Sequence, residues 1–138
     1  MLVTGGFLYL AVRRLLQRAA QEAAQRGQAE AEMASARVHY HQLLETSSDG
    51  IHVLNEAGEL IEANAAFYQM LGCDPENPPA LQVADWDAQW SAAELKTRMQ
   101  ALINQPQMFE TLHRRRDGQV IPVEVNARRI EFNGQRCL

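Results

Sequence analysis

The sequence has 138 residues, 46% of them hydrophobic and 22% charged, which is enough for one modest core with an appendage and excludes wholesale disorder. Its net charge of −4 gives no general attraction to nucleic acid. Two cysteines, Cys73 and Cys137, stand far apart without CxxC or Cys/His spacing, which argues against a disulfide framework or a zinc site and for free thiols.

Residues 1–12 carry no charge, and residues 1–26 hold four arginines (Arg13, Arg14, Arg18, Arg26) against one acid, Glu22. A bilayer-spanning helix needs about twenty apolar residues, so twelve are too few alone, and Gly5 and Gly6 weaken the helix further. A secretory signal is a poor match, because its positive charges precede the apolar run and here they follow it. Arginines after an apolar run suit the cytoplasmic edge of a membrane segment. Two readings follow: the end of a transmembrane helix that begins upstream, or a short apolar cap on a soluble helix, the chain then being a coiled-coil adaptor.

Residues 13–44 read as a helix of Ala, Gln, Glu, Arg and Leu, interrupted only by Gly27. A stripe of apolar and small residues runs Leu16, Ala20, Ala23, Gly27, Ala31, Ala34, Val38, with His41 and Leu44 continuing it. The steps of three and four make a heptad-like seam with a stutter near Gly27. Alanine buries little area, so a parallel dimer through this seam is expected to be weak in isolation. The competing reading is a single solvated helix.

From Ser47 the pattern changes. Residues 51–55 and 60–63 read as short strands around a turn at Glu56-Ala57-Gly58. Asn64 caps a helix over Ala65–Leu71, and Gly72 ends it. Residues 73–80 form a proline-bearing loop. Trp86 and Trp90, four apart, are expected to share a face of one helical turn. Ser91 and Glu94 make a capping box for a helix presenting Leu95, Met99, Leu102 and Ile103, which Pro106 ends. Residues 109–115 and 120–132 read as strands around Asp117-Gly118, and Asn133-Gly134 turns into a last short strand at residues 135–138. The order of elements predicts an α+β domain, an antiparallel sheet with helices on one face.

The phrases DGIHVLNEAG, EANAAF and RRRDGQVIPVEV, in this order and spacing, resemble the two halves of a PAS domain. The resemblance implies a PAS fold at residues 45–138: a five-stranded antiparallel sheet in the order 2-1-5-4-3, its last strand cut short. It also implies a sensory, non-enzymatic role, with a downstream output domain such as a histidine kinase or diguanylate cyclase. The segment ADWDAQWSAAEL is similar to a variant in bacterial membrane receptors. With the apolar start, it places the chain at the cytoplasmic face of the bacterial inner membrane. A homodimer through both the helix and the PAS domain is the implied assembly.

By the same resemblance, His52 and Leu54 on the first strand face a small-molecule pocket. Val123, Val125 and Ala127 face it from one later strand, Phe109, Thr111 and His113 from its neighbour, and Phe67 closes the helical side. The alternative is a filled core that satisfies both histidines. The cofactor remains unknown. Flavin is disfavoured without a reactive cysteine in an NCRFLQ-like phrase, and haem is disfavoured without a histidine on the helix before the third strand. Two histidines with no carboxylate partner do not define a metal site. No P-loop, HExxH, GxSxG or GGDEF-like phrase is present. Asp85, Asp87 and Glu94 read as a solvated cap, and Arg114-Arg115-Arg116 as a solvated turn.

Overall fold

The computed structural model describes residues 3–138. Two compact units are distinguished, one ending at Leu43 and one spanning Leu44–Leu138. Met1 and Leu2 of the expected apolar segment lie outside the described residues.

The first unit is helix. α1 runs Val3–Thr46, its last turn belonging to the second unit. Its 44 residues make a rod of about 66 Å at 1.5 Å per residue. Every described side chain from Thr4 to Leu43 is exposed, including Leu16, Ala20, Ala23, Ala31, Ala34 and Val38 of the expected seam. Apolar side chains are spread around α1 and give it little amphipathic character. The membrane expectation is overturned here. Among the described residues no helix is long and apolar enough to cross a bilayer. The physical reason is the early arrival of Arg13 and Arg14, which close the uncharged stretch well short of about twenty residues. The placement at the bacterial inner membrane falls with it.

The second unit is α+β. β1 (His52–Leu54) pairs antiparallel with β2 (Leu60–Ala63), setting His52 opposite Ala63. The turn between them is organised by Asn55, whose Oδ1 accepts from the backbone N–H of Ala57 (3.0 Å) and Glu59 (2.9 Å). Gly58 has φ +83°, and a Cβ there would stand 2.9 Å from Val83 Cγ1, so both backbone and packing require glycine. α2 (Ala65–Leu71) starts at the Asn64 cap and ends at left-handed Gly72. α3 is one short turn, Val83–Trp86. α4 (Ala92–Asn104) opens on the Ser91/Glu94 box, with both reciprocal bonds formed (3.3 and 2.8 Å), and buries Leu95, Met99, Leu102 and Ile103. Pro106 follows its C-cap, Gln105.

The remaining strands form two hairpins. β3 (Gln107–Arg114) pairs with β4 (Val120–Ala127), setting Phe109 opposite Val125, Thr111 opposite Val123 and His113 opposite Ile121. β5 (Ile130–Phe132) pairs with β6 (Gln135–Cys137) through Asn133 and Gly134, both at positive φ as a tight hairpin turn needs. β6 also reaches β1. Asn55 and Cys137 form a bridge, and Leu54 and Leu138 exchange backbone hydrogen bonds of 2.7 and 2.8 Å.

Three expectations change. Among the described residues the strands fall into three antiparallel pairs, β1–β2, β3–β4 and β5–β6, where one five-stranded sheet in the order 2-1-5-4-3 was expected. The long strand at residues 120–132 is broken at Arg128 and Arg129, leaving β4 and β5 as separate strands. Trp86 and Trp90 also do not share a helical face: α3 ends at Trp86, and Trp90 lies in the bend before α4.

Candidate functional site

The interior of the second unit is built around rings. Phe67 from α2 is fully buried and Trp86 from α3 is 2% exposed. His52 of β1 stacks on Phe67 with ring centroids 4.2 Å apart, and meets Trp86 edge-on at 5.6 Å. Phe67 and Trp86 meet edge-on at 5.3 Å, and Trp86 reaches His113 of β3 at 6.5 Å. Leu54, Leu71, Cys73 and Met99 complete the cluster. Such edge and offset contacts add about 0.5–1.5 kcal/mol each beyond area burial.

Two polar residues hold this interior in place. Asn64, 1% exposed, uses its whole side-chain amide. Its Oδ1 accepts from Ile51 N (2.9 Å) and Phe67 N (3.0 Å), and its Nδ2 donates to Leu44 O and Asp49 O (both 2.9 Å). Asp87 is buried, contrary to the solvated reading. Its Oδ1 accepts from the N–H of Gln89 and Trp90 (2.9 Å each), and its Oδ2 accepts from Thr111 Oγ1 (3.3 Å). Asp85 and Glu94 remain exposed, each closing a capping box.

Burial disfavours the charged form of both histidines. Burial pulls His52 down from 6.5 to about 4, and the nearby His113 adds to the shift. Burial also lowers His113, partly opposed by the Asp87 charge. His113 Nδ1 is buried without a hydrogen-bond partner. Cys73 and Cys137 are free and buried, and burial pushes the Cys137 thiol up.

His52, Leu54 and Phe67 therefore meet in one cluster, with His113 at its edge across Trp86. Thr111 and His113 are buried on the same face of the β3–β4 hairpin as half-buried Val123 and Val125. The sequence pattern gave no sign of Trp86 as the hub, because α3 is too short to show a periodicity. Among the described residues no group of three or more His, Cys, Asp or Glu side chains is placed to hold a metal ion.

The larger cleft lies elsewhere and contains none of the six expected pocket residues. It encloses about 330 Å³ between the end of α2, the loop before α3 and the turn after β3. Leu71, Pro79, Leu81 and Trp86 give it apolar walls, and Arg114, Arg115 and Arg116 line its rim with Asp85. A smaller one of about 150 Å³ lies by Arg98, Leu102 and Phe109. There the Arg98 guanidinium stacks 3.8 Å above the Trp90 ring.

This arrangement of strands, short helices and a long N-terminal helix matches known proteins. A family model for the PAS domain fits residues 48–138, about two thirds of the chain. The chain belongs to the PAS domain family. Its PAS domain is similar to that of an HTR-like protein from Haloarcula marismortui, at 29% identity and TM-score 0.67, covering 82% of this chain and 93% of that one. It is also similar to a domain of a sensory box sensor histidine kinase/response regulator from Geobacter sulfurreducens (19%, TM-score 0.59, 76% and 91% covered). A third likeness is to the PAS domain of nitrogen regulation protein NR(II) from Vibrio parahaemolyticus (15%, TM-score 0.56, 70% and 89% covered). Among curated proteins none matches the chain. A PAS domain is a sensory, non-catalytic module, and this one belongs to sensory signalling.

Proposed function

We propose that this PAS domain relays a conformational signal to an output domain in the same polypeptide, of the histidine kinase or diguanylate cyclase kind, as a homodimer joined through α1 and the PAS domain. The ring cluster carries this reading. Phe67, Trp86 and His52 pack their rings against one another in the interior, which supports a core filled by its own side chains. Two imidazoles among aromatic rings make a close-packed core that links β1, α2, α3 and β3. The exposed apolar residues of α1 support the dimer, because a long helix exposed all round gains stability from a partner.

A ligand-bearing interior is the second reading, supported by the orphaned Nδ1 of His113, since buried polar atoms are normally partnered. Native mass spectrometry of the purified chain separates the two. Relay without a resident ligand gives multiples of the 15.5 kDa polypeptide mass with nothing added. A stoichiometric small-molecule adduct, lost when Val125→Trp overfills the face opposite Phe109, overturns the first reading in favour of the second.

A further inference from the structure

The arginine-rimmed cleft lies beside the ring-filled interior and shares Leu71, Cys73 and Trp86 with it. Three guanidinium groups, from Arg114, Arg115 and Arg116, face one carboxylate, Asp85, so its charged lining sums to +2. That carboxylate is already engaged, its Oδ2 accepting from Gln82 N at 2.8 Å. Arg115 is the inner member of the three. Its side chain is 31% exposed, and its Nε is buried without a hydrogen bond. The nearest acid, Asp117, has Oδ2 3.9 Å from that Nε, beyond hydrogen-bond reach. A buried guanidinium N–H with no acceptor is costly unless an acceptor arrives.

The backbone fixes where these groups point. Arg116 N donates to Leu71 O at 2.8 Å, tying the turn to the end of α2. Arg115 N accepts its place in the hairpin by donating to Gln119 O at 2.7 Å. Gly72 leaves room beside them, a Cβ there standing 3.9 Å from an Arg115 guanidinium nitrogen. Behind the arginines stand Leu71, Leu81 and the Trp86 ring, an apolar floor under a cationic rim. The volume, about 330 Å³, is at the low end for small-molecule sites, about 300–1,000 Å³.

We infer that this cleft binds a small organic anion, its carboxylate or phosphate head paired with Arg115 and flanked by Arg114 and Arg116, and its apolar body against Trp86 and Leu81. Planar guanidinium forks suit either head group. Because Trp86 is both the cleft wall and the hub of the ring cluster, occupancy is felt at His52 and Phe67. The binding inference is independent of the relay proposal: the cleft can take an anion whether or not the chain relays a signal.

The test is a heteronuclear NMR titration of the whole chain with benzoate, phenyl phosphate and uncharged benzamide. Saturable shifts are expected at the Trp86 indole and residues 114–116 with a Kd of about 1 mM or tighter for at least one anion. The Trp90 indole, outside the cleft, stays still. The stronger of the two anions identifies the head group. Arg115→Gln weakens binding at least about tenfold, the loss of one charge-assisted pair. Should that variant not fold, Arg114→Gln with Arg116→Gln, both exposed, carries the same expectation at about threefold or more through lost charge. Binding also weakens with added salt. Equal binding of benzamide, shifts centred on His52 and Val123 in place of the cleft, indifference to the arginine variants, or no saturation by any probe overturns the inference.

Discussion

Asn64→Ala is the most informative perturbation of the fold. Four hydrogen bonds disappear together: to Ile51 N, Phe67 N, Leu44 O and Asp49 O. Each contributes about 0.5–1.5 kcal/mol net, and an orphaned buried partner costs more. Leu44 O keeps another donor, Ser47 N at 3.3 Å, so its loss is softened. The sum is a destabilisation of about 3–4 kcal/mol, of which the lost helix cap is about 1. Urea unfolding followed by tryptophan fluorescence measures it as a lower midpoint at unchanged slope. Asn64→Ser separates the parts. Its hydroxyl still accepts from Phe67 N but cannot also span to Leu44 and Asp49, so it recovers the cap, about 1 kcal/mol, and little else. A loss below about 1 kcal/mol for Asn64→Ala, or full recovery by Ser, refutes the idea that this side chain fastens the end of α1, the start of β1 and α2 to one another.

Two further predictions follow from the histidines and from α1. The folded state lowers the His52 pKa to about 4, so the unfolded chain binds its proton first, and stability is lost as pH falls below the unfolded value of 6.5. Between about pH 7.5 and about pH 5 the loss is about 2 kcal/mol in urea titrations, and His52→Gln flattens it; an unchanged pH dependence in that variant contradicts the lowered pKa of His52. If α1 pairs in parallel through its seam as proposed, cysteines introduced at Ala23 or Ala34 cross-link readily under mild oxidation, and those at Glu22 or Glu32 poorly. Equal trapping at all four positions removes the seam as drawn.

Local chemistry was the legible part of the sequence. Asn64, Gly72 and the Ser91/Glu94 pair act through bonds within a few residues, so their spacing alone places α2 and α4. Asp117-Gly118 and Asn133-Gly134 set both hairpins in the same way, with Gly118 and Gly134 at positive φ. The family resemblance placed His52, Leu54 and Phe67 around a pocket; the packing of their side chains against Trp86 is marked by no local pattern. The β4–β5 break was hidden because the alternation of Val123, Val125 and Ala127 runs into Arg128 without proline or glycine to mark a stop. The burial of Asp87 depends on Thr111, 24 residues away, a distance no motif spans. The arginine cleft was missed for the same reason. Three adjacent arginines after a strand look like a wet turn until Leu71 and Trp86 are brought beneath them.

The clasp between Leu54 and Leu138 has a mechanical meaning. Two backbone hydrogen bonds join Leu138 to β1, two residues from the His52 ring. A pull or twist on the chain at Leu138 is thus delivered to β1 without crossing a flexible loop. Strain travels equally well in the other direction. A displacement of β1 would be carried to Leu138 through the same two hydrogen bonds.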